Sequence, residues 1–267
     1  MPLTLQLEKS ARLVLYFDIL GFREMVRRKK AERVYDVLNA TLERFENMEQ
    51  KRGEFKTLYF SDTILFYQQP LGFDFDRLRS LWSAANILYR GLLGDGIPVN
   101  GVITYGSFAV ENAEVGQHQL YFGQALIEAY DMDKEAKWLG ITLCPSVVKK
   151  LKQAEIEQQC EQRVWKRGSD GKGGDTLLLN PLLPLIRAWE KEEFRRSSTE
   201  YSASLERSLR AFAFLLKTAD EFDAKGEFAS SAASRYHVTL AFVRSMLPPE
   251  CFEVAERKAR QLNPEAK

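Results

Sequence analysis

The chain has 267 residues, with 38 basic and 37 acidic side chains and a formal net charge of +1. This near-neutral charge argues against a general nucleic-acid coat and against a polybasic membrane binder. Hydrophobic residues make up 45% of the chain and charged residues 28%, a composition typical of globular proteins and not of disordered or fibrous ones.

Three cysteines, Cys144, Cys160 and Cys251, are widely spaced in the sequence. Their spacing matches no zinc motif, and an odd number fits no closed disulfide framework, so we expect reduced thiols and a cytoplasmic location. The N-terminal segment lacks the apolar stretch of a signal peptide. No apolar run approaches the roughly 20 residues needed to cross a bilayer, so we expect no membrane association.

The first part of the chain predicts a strand, a helix, a hairpin and a second helix. Residues 12–19 are an apolar run that ends in an acid and predict a buried strand, followed by helical sequence over 22–49. Residues 54–69 are rich in aromatic and β-branched side chains around Ser61-Asp62, which predicts a hairpin with its turn at this pair. Apolar residues at steps of three and four predict a helix over 74–93.

The middle of the chain continues with a strand over 97–110, a helix over 121–138 and a short strand over 140–144. A second hairpin with a glycine-rich turn is predicted over 162–179. Beyond Pro181 the pattern becomes helical, with long helices over 199–223 and 227–246.

This order of elements contains a βαββαβ unit, which indicates an α+β fold with a mostly antiparallel sheet and helices on one face. We expect a catalytic domain over residues 1–180 and a helical C-terminal extension over residues 181–267.

Two aspartates are the strongest candidates for chemistry. Asp18 ends the first strand and Asp62 lies in the hairpin turn, and in a βαββαβ fold these two strands are neighbours. Two adjacent carboxylates repel each other unless a cation joins them, and a hard divalent ion with oxygen ligands suits this role. Metal ions held in this way serve phosphoryl chemistry.

The Gly21-Phe22 pair directly follows the first strand and opens a helix. Backbone N–H groups at the start of a helix favour anions, so this turn is a candidate site for a polyphosphate.

Four segments together resemble the class III nucleotide cyclases: FDILGF at 17–22, FKTLYFSDTILFY at 55–67, GVITYG at 101–106 and YFGQALIEAYDMDKEA at 121–136. These sequence motifs are most similar to those of the bacterial pyrimidine nucleotide cyclases of Pycsar anti-phage systems. The resemblance covers roughly residues 10–180 and implies a ferredoxin-like cyclase core.

The resemblance also implies roles for individual residues. Asp18 and Asp62 match the two metal-binding aspartates of the family, and the backbone carbonyl of Ile19 matches an auxiliary ligand, so two Mn²⁺ or Mg²⁺ ions are implied. Gly21 and Phe22 match the phosphate-binding turn. For the lysine that the family brings to the polyphosphate, the candidates are Lys166, Arg167 and Lys172, of which Lys166 is favoured because it precedes the turn.

Other positions depart from the purine cyclases. Leu58, beside Tyr59, occupies the position of a base-reading Lys or Glu, and we expect both residues to line a smaller base pocket. Tyr59 could equally be a tyrosine packed in the core. Ile127 and Asp131 occupy the positions of the transition-state Asn and Arg, and no replacement for that Arg is evident from the sequence.

The expected function is therefore cyclisation of UTP or CTP to the 3′,5′-cyclic monophosphate and pyrophosphate, with cUMP favoured, as a second messenger in defence against phage. The resemblance implies a homodimer with sites between its subunits, and a separate effector that responds to the cyclic nucleotide. The alternatives are a purine cyclase and a catalytically inactive nucleotide-sensing or interaction module. RNA binding on the same scaffold is disfavoured, because an acid stands where a basic strand would be needed.

Overall fold

A computed structural model of the chain describes residues 11–27, 32, 35–40, 43, 55–112, 119–169, 174–195, 201–227 and 230–262. The strands are β1 (Ala11–Ile19), β2 (Phe55–Phe60), β3 (Thr63–Gln68), β4 (Val99–Ser107), β5 (Ala109–Asn112), β6 (Gln119–Phe122), β7 (Ile141–Leu143), β8 (Trp165–Ser169) and β9 (Asp175–Leu179). The helices are α1 (Phe22–Arg27), α2 (Phe75–Gly94), α3 (Gln124–Glu135), α4 (Pro145–Val148), α5 (Gln153–Glu161), α6 (Leu183–Glu190), α7 (Ala203–Ala224), α8 (Ser231–Met246) and α9 (Pro249–Gln261), with a 3₁₀ turn at Glu193–Arg195.

Seven strands form one sheet in the order β2-β3-β1-β4-β7-β9-β8. All neighbouring pairs are antiparallel except β4 and β7, which run parallel. The strand β1 lies between β3 and β4, as predicted, and it is buried on both sides because its sequence is almost entirely apolar. The α+β fold with a βαββαβ core is confirmed.

Alternate residues of β1 pack into two separate cores. Leu13, Leu15 and Phe17 face a large core that α2 and the C-terminal helices cover. Val14 and Tyr16 face a smaller core, which α3 covers through Ala125 and Ala129. Helices therefore cover both faces of the sheet, and the expectation of helices on one face was wrong. The small residues of α3 let this helix lie close to the second face, where the Ala125 backbone lies beside Gly106.

Both predicted hairpins are present, as β2–β3 and β8–β9. The first turns at Ser61 and Asp62, with Ser61 at a φ of 56°. The two-stranded sheet of β5 and β6 was not predicted, and it replaces the first turn of the helix expected over 121–138.

Gly123 joins β6 to α3, at a φ of 149°. A Cβ atom at this position would overlap the backbone carbonyl of Ser107, so the close approach of the two segments requires glycine.

The C-terminal helices share the large core with the sheet. Leu205, Leu209 and Phe212 of α7 pack in the same cluster as the buried face of α2. The Thr239 hydroxyl of α8 accepts a hydrogen bond from the backbone N–H of Leu139 at 2.7 Å. Residues on either side of position 180 therefore stabilise one another. No helix among the described residues is both long enough and apolar enough to cross a membrane.

Candidate active site

Three polar residues lie side by side on the sheet face that α3 covers. The register pairs Asp18 with Thr63 of β3 and with Asn100 of β4, so the three side chains form one row across three strands. Asp18 is half-buried at the carboxyl end of β1, and Asn100 is fully buried. The Tyr16 hydroxyl lies 3.4 Å from the Thr63 hydroxyl on the same face.

The hairpin turn brings Asp62 to this row. The backbone N–H of Ile19 donates to the Asp62 carbonyl at 2.8 Å, which joins the end of β1 to the turn. The structure therefore brings Asp18, Ile19 and Asp62 together, the three residues predicted to hold metal.

The cluster carries an excess of negative charge. The pKa of the Asp18 carboxyl is raised to about 7, first by burial and then by the negative charges of Asp133 and Asp62. The positive charge of Arg235 acts in the opposite direction on the pKa of Asp18 and also on that of Asp133.

Asp133 is an acid of the site that sequence reasoning missed. It lies near the end of α3 and accepts a hydrogen bond from the Asn100 side-chain amide at 2.9 Å. Burial raises the pKa of Asp133, although the bond from Asn100 works against this rise. The sequence offers one signal for Asp133: it lies one turn beyond Ala129 and two turns beyond Ala125, the small residues through which α3 packs on the sheet.

Gly21 and Phe22 form the turn that was predicted to receive phosphate. Gly21 has a φ of 71°, and its carbonyl accepts hydrogen bonds from the N–H groups of Glu24 and Met25 at 3.0 Å each. Phe22 begins α1 and packs partly against the large core. The turn follows Asp18 by three residues, so it lies at the same end of β1.

Leu58 and Tyr59 lie on opposite faces of β2. Leu58 pairs with Leu65 and packs against the smaller core, on the face that carries Asp18. Tyr59 pairs with Ile64, which belongs to the other face, and 43% of its surface is exposed. Adjacent strand residues cannot line one pocket on a single face, so only Leu58 shares the face of Asp18. The alternative of a core tyrosine is wrong, because Tyr59 is exposed, and a contact of Tyr59 with the base stays a prediction.

Lys166 lies far from the acids within one chain. It is on β8, four strands away from β1, which corresponds to about 19 Å at the usual strand spacing. Its ammonium donates to the Ser245 hydroxyl of α8 at 2.8 Å and lies 5.9 Å from the centre of the Phe242 ring. Arg167 is on the same strand, and Lys172 lies outside the described residues.

Two of the residues that differ from those of purine cyclases lie on the solvent-exposed face of α3. Ile127 is 56% exposed and Asp131 is also exposed, so neither is needed for packing.

The residues at the end of β1 suit a divalent metal ion. Across the described residues, no group of three or more His, Cys, Asp or Glu side chains could hold a metal by itself. However, Mg²⁺ is usually bound through one or two carboxylates together with substrate phosphates and water. The hard oxygens of Asp18, Asp62 and the Ile19 carbonyl, in a cluster with excess negative charge, fit this kind of site.

No protein-family model matches the sequence, and no curated protein matches it either. Solved structures do match the fold. The guanylate cyclase domain of RhGC from Catenaria anguillulae, in complex with GTP, superimposes with a TM-score of 0.51 at 16% identity and covers 64% of this chain and 97% of that domain.

Two further matches are weaker. The monomeric guanylyl cyclase domain of the RhoGC fusion protein from the aquatic fungus Blastocladiella emersonii has a TM-score of 0.47 at 15% identity, covering 64% of this chain and 94% of that domain. The adenylyl cyclase CyaB from P. aeruginosa has a TM-score of 0.42 at 13% identity, covering 64% and 93%. The fold assignment depends on the RhGC domain: the chain has the class III nucleotide cyclase fold.

Proposed function

We propose that the protein is a pyrimidine nucleotide cyclase, which converts UTP or CTP to the 3′,5′-cyclic monophosphate and pyrophosphate, with UTP preferred. The observation that supports this most is the meeting of Asp18, Ile19 and Asp62 at one end of β1, on a cyclase fold. The RhGC domain, which shares this fold, is named as a guanylate cyclase domain, and this supports cyclase chemistry.

In the reaction, the ribose 3′-oxygen forms a bond to the α-phosphorus and the bond from that phosphorus to the pyrophosphate oxygen breaks. The proton of the 3′-hydroxyl passes to water, and pyrophosphate leaves with the electron pair of the broken bond. Asp18, Asp62 and the Ile19 carbonyl would hold two divalent ions, Mn²⁺ or Mg²⁺. When bound, these ions would acidify the 3′-hydroxyl and neutralise the leaving pyrophosphate. The backbone of the turn at Gly21 and Phe22 would receive phosphate oxygens.

The preference for a pyrimidine is supported by the apolar side chain at the base-reading position. The Leu58 side chain cannot form a hydrogen bond to the edge of a purine base. A base pocket without such polar groups selects purines over other bases only weakly. Tyr59, on the other face of β2, would line the pocket only if that face contributes to it.

The distance of Lys166 from Asp18 within one chain supports a site that two subunits share. We therefore propose a homodimer, in which Lys166 of one subunit serves the acids of the other. We also propose that residues 1–180 form the catalytic domain and residues 181–267 its helical extension. In the cytoplasm of a bacterium the cyclic product would act on a separate effector during defence against phage.

The test is incubation of the purified protein with each of the four NTPs and Mn²⁺, with the products identified by mass spectrometry. A cyclic pyrimidine nucleotide is the expected product. A cyclic purine as the main product would replace this proposal with a purine cyclase. A complete lack of cyclic product with all four would favour an inactive nucleotide-sensing module.

A further inference from the structure

Arg90 of α2 is a buried cation that uses only part of its hydrogen-bonding capacity. Only 6% of its surface is exposed, and its Nη1 donates to the Pro181 carbonyl at 3.2 Å. Its Nε is also buried and has no hydrogen-bond partner among the described residues. Buried charges in proteins are normally paired with an opposite charge and fully hydrogen-bonded. Arg90 therefore keeps an unused charged donor in a buried place.

Two further arginines lie close to Arg90. Arg207 is at the crossing of α7 with α2, because its carbonyl would be 3.6 Å from a Cβ atom at Gly94, one turn beyond Arg90. The Nε of Arg207 is buried as well, with no partner in the described part of the chain. Arg187 is on α6, the helix that begins just after Pro181. The pKa of Arg90 is lowered to about 10, first by burial and then by the positive charges of Arg207 and Arg187.

These three residues, Arg90, Arg187 and Arg207, form what we call the arginine cluster. None of the ion pairs between described residues includes a member of this cluster. Burial and mutual repulsion both make the positive charges costly, and an anion between them would offset both effects. Asn86, one turn before Arg90 on α2, adds a buried side-chain oxygen that has no partner among the described residues.

We propose that the arginine cluster binds a small oxyanion of the phosphate class, held between α2, α6 and α7. Guanidinium groups stay charged when buried and donate paired hydrogen bonds to phosphate oxygens. Phosphate at neutral pH also keeps a hydroxyl group, which can donate to the Asn86 side-chain oxygen. The ion must be small, because α2 and α7 are in tight contact one turn beyond Arg90, where a Cβ atom at Gly94 would be 3.3 Å from the Arg210 Cβ.

This site is separate from the acid cluster. The helix α2 packs on the sheet face to which Leu15 and Phe17 point, whereas Asp18 points to the opposite face. The anion would join α2 of the cyclase core to α6 and α7 of the C-terminal extension. The inference therefore goes beyond the proposed cyclase activity and does not depend on it.

Thermal unfolding of the full-length protein at increasing concentrations of inorganic phosphate tests the proposal. Chloride keeps the ionic strength constant, and the measurement is made at neutral pH without metal or nucleotide. An ion that binds only the folded state raises the melting temperature, and the dependence on concentration gives an apparent Kd. We expect phosphate to raise the melting temperature of the wild type in a saturable way.

Arg187→Gln and Arg207→Gln each remove one charged donor, so each should raise the apparent Kd for phosphate about tenfold or more. Arg90 is left unchanged because its side chain packs in the core. Arg79→Gln is the matched control: this arginine is also on α2, but it is exposed and pairs with Asp76 at 2.7 Å. Arg187 is exposed, so its substitution preserves the fold and suffices for the test if Arg207→Gln does not unfold cooperatively in chloride.

A melting temperature of the wild type that does not respond to phosphate would overturn the proposal. An equal apparent Kd for the wild type, both cluster variants and the control would also overturn it, because the phosphate would then bind elsewhere, for example at the turn after β1. A weaker response in the cluster variants alone, with a wild-type response in the control, would support the site whether or not the protein cyclises any NTP.

Discussion

Asn100 is the buried polar residue that holds Asp133 in the acid cluster. Its side-chain amide donates to the Asp133 carboxylate at 2.9 Å, and Asn100 is 0% exposed. Asn100→Ala should lower the free energy of unfolding by about 1–3 kcal/mol, because the half-buried carboxylate of Asp133 loses its hydrogen-bond donor. Urea denaturation measures the change. Asn39→Ala is the control, since its 2.8 Å bond to Glu43 is on the surface and its loss should cost under about 0.5 kcal/mol. Equal effects at the two positions would contradict the role of Asn100.

Tyr59 should contribute little to stability. Because 43% of its surface is exposed, Tyr59→Ala should cost under about 1 kcal/mol. Tyr89→Ala should cost about 3–5 kcal/mol, because Tyr89 is fully buried and its hydroxyl donates to the Leu139 carbonyl at 3.0 Å. Thermal unfolding of both variants gives the comparison, and a loss at Tyr59 as large as that at Tyr89 would contradict its exposed position.

The sequence alone was enough to identify some residues of the site, and others could be found only from the structure. Asp18 ends an apolar strand and Asp62 lies between two strand-like segments, so local sequence and the order of elements were enough to bring them together. Asp133, Asn100 and Arg235 join them from a helix, a strand and a second helix that are distant in sequence. Their meeting depends on tertiary packing, which no pattern within one element predicts.

The connection between β6 and α3 is the element on which the position of Asp133 depends. Gly123→Ala should cost at least about 2 kcal/mol more than Gly226→Ala, because its Cβ would overlap the Ser107 backbone. Gly226 is the matched control: it also has a positive φ, of 70°, but an added Cβ meets no atom within 4 Å. Gly226 has a φ of 70°, in the left-handed region, whereas Gly123, with φ 149° and ψ 168°, has a conformation open essentially to glycine alone, so the difference reports the overlap together with this larger backbone strain. Similar midpoints in urea denaturation would contradict the close approach of the two segments.

Helices and strands with a regular pattern of hydrophobic residues were predicted well. Elements that form only through contacts with another segment were not. The alternating and apolar segments gave β1, both hairpins and α2 close to their observed bounds. The short strands β5 and β6 pair only with each other in the described part of the chain, and the last two residues of β6 were interpreted as the start of a helix. The side of the sheet on which α3 packs depends on Gly123 and on the small residues that face the sheet, which element order does not reveal.

At the scale of the whole molecule, the position of Lys166 leads to a test of the shared site. An equal mixture of Asp62→Ala and Lys166→Ala chains should recover about a quarter of the wild-type activity, because half of the dimers are mixed and one of their two sites is intact. Activity is measured after subunit exchange, which is verified by native mass spectrometry. Each variant alone should be inactive. An inactive mixture with proven exchange, or an active monomer in sedimentation, would contradict the shared site.

The most direct test of the cyclase assignment is the product that the wild type and Asp62→Ala form from UTP and Mn²⁺, measured by mass spectrometry. Asp175→Ala is the control, because Asp175 is exposed at the start of β9, away from the acids. We predict 3′,5′-cyclic UMP and pyrophosphate from the wild type and the control. The Asp62→Ala variant should form neither product and should keep the wild-type melting temperature, because Asp62 lies in a turn. A folded Asp62→Ala protein that still cyclises UTP, or a wild type that forms no cyclic nucleotide from any NTP, would contradict a metal-dependent cyclase built on Asp18 and Asp62.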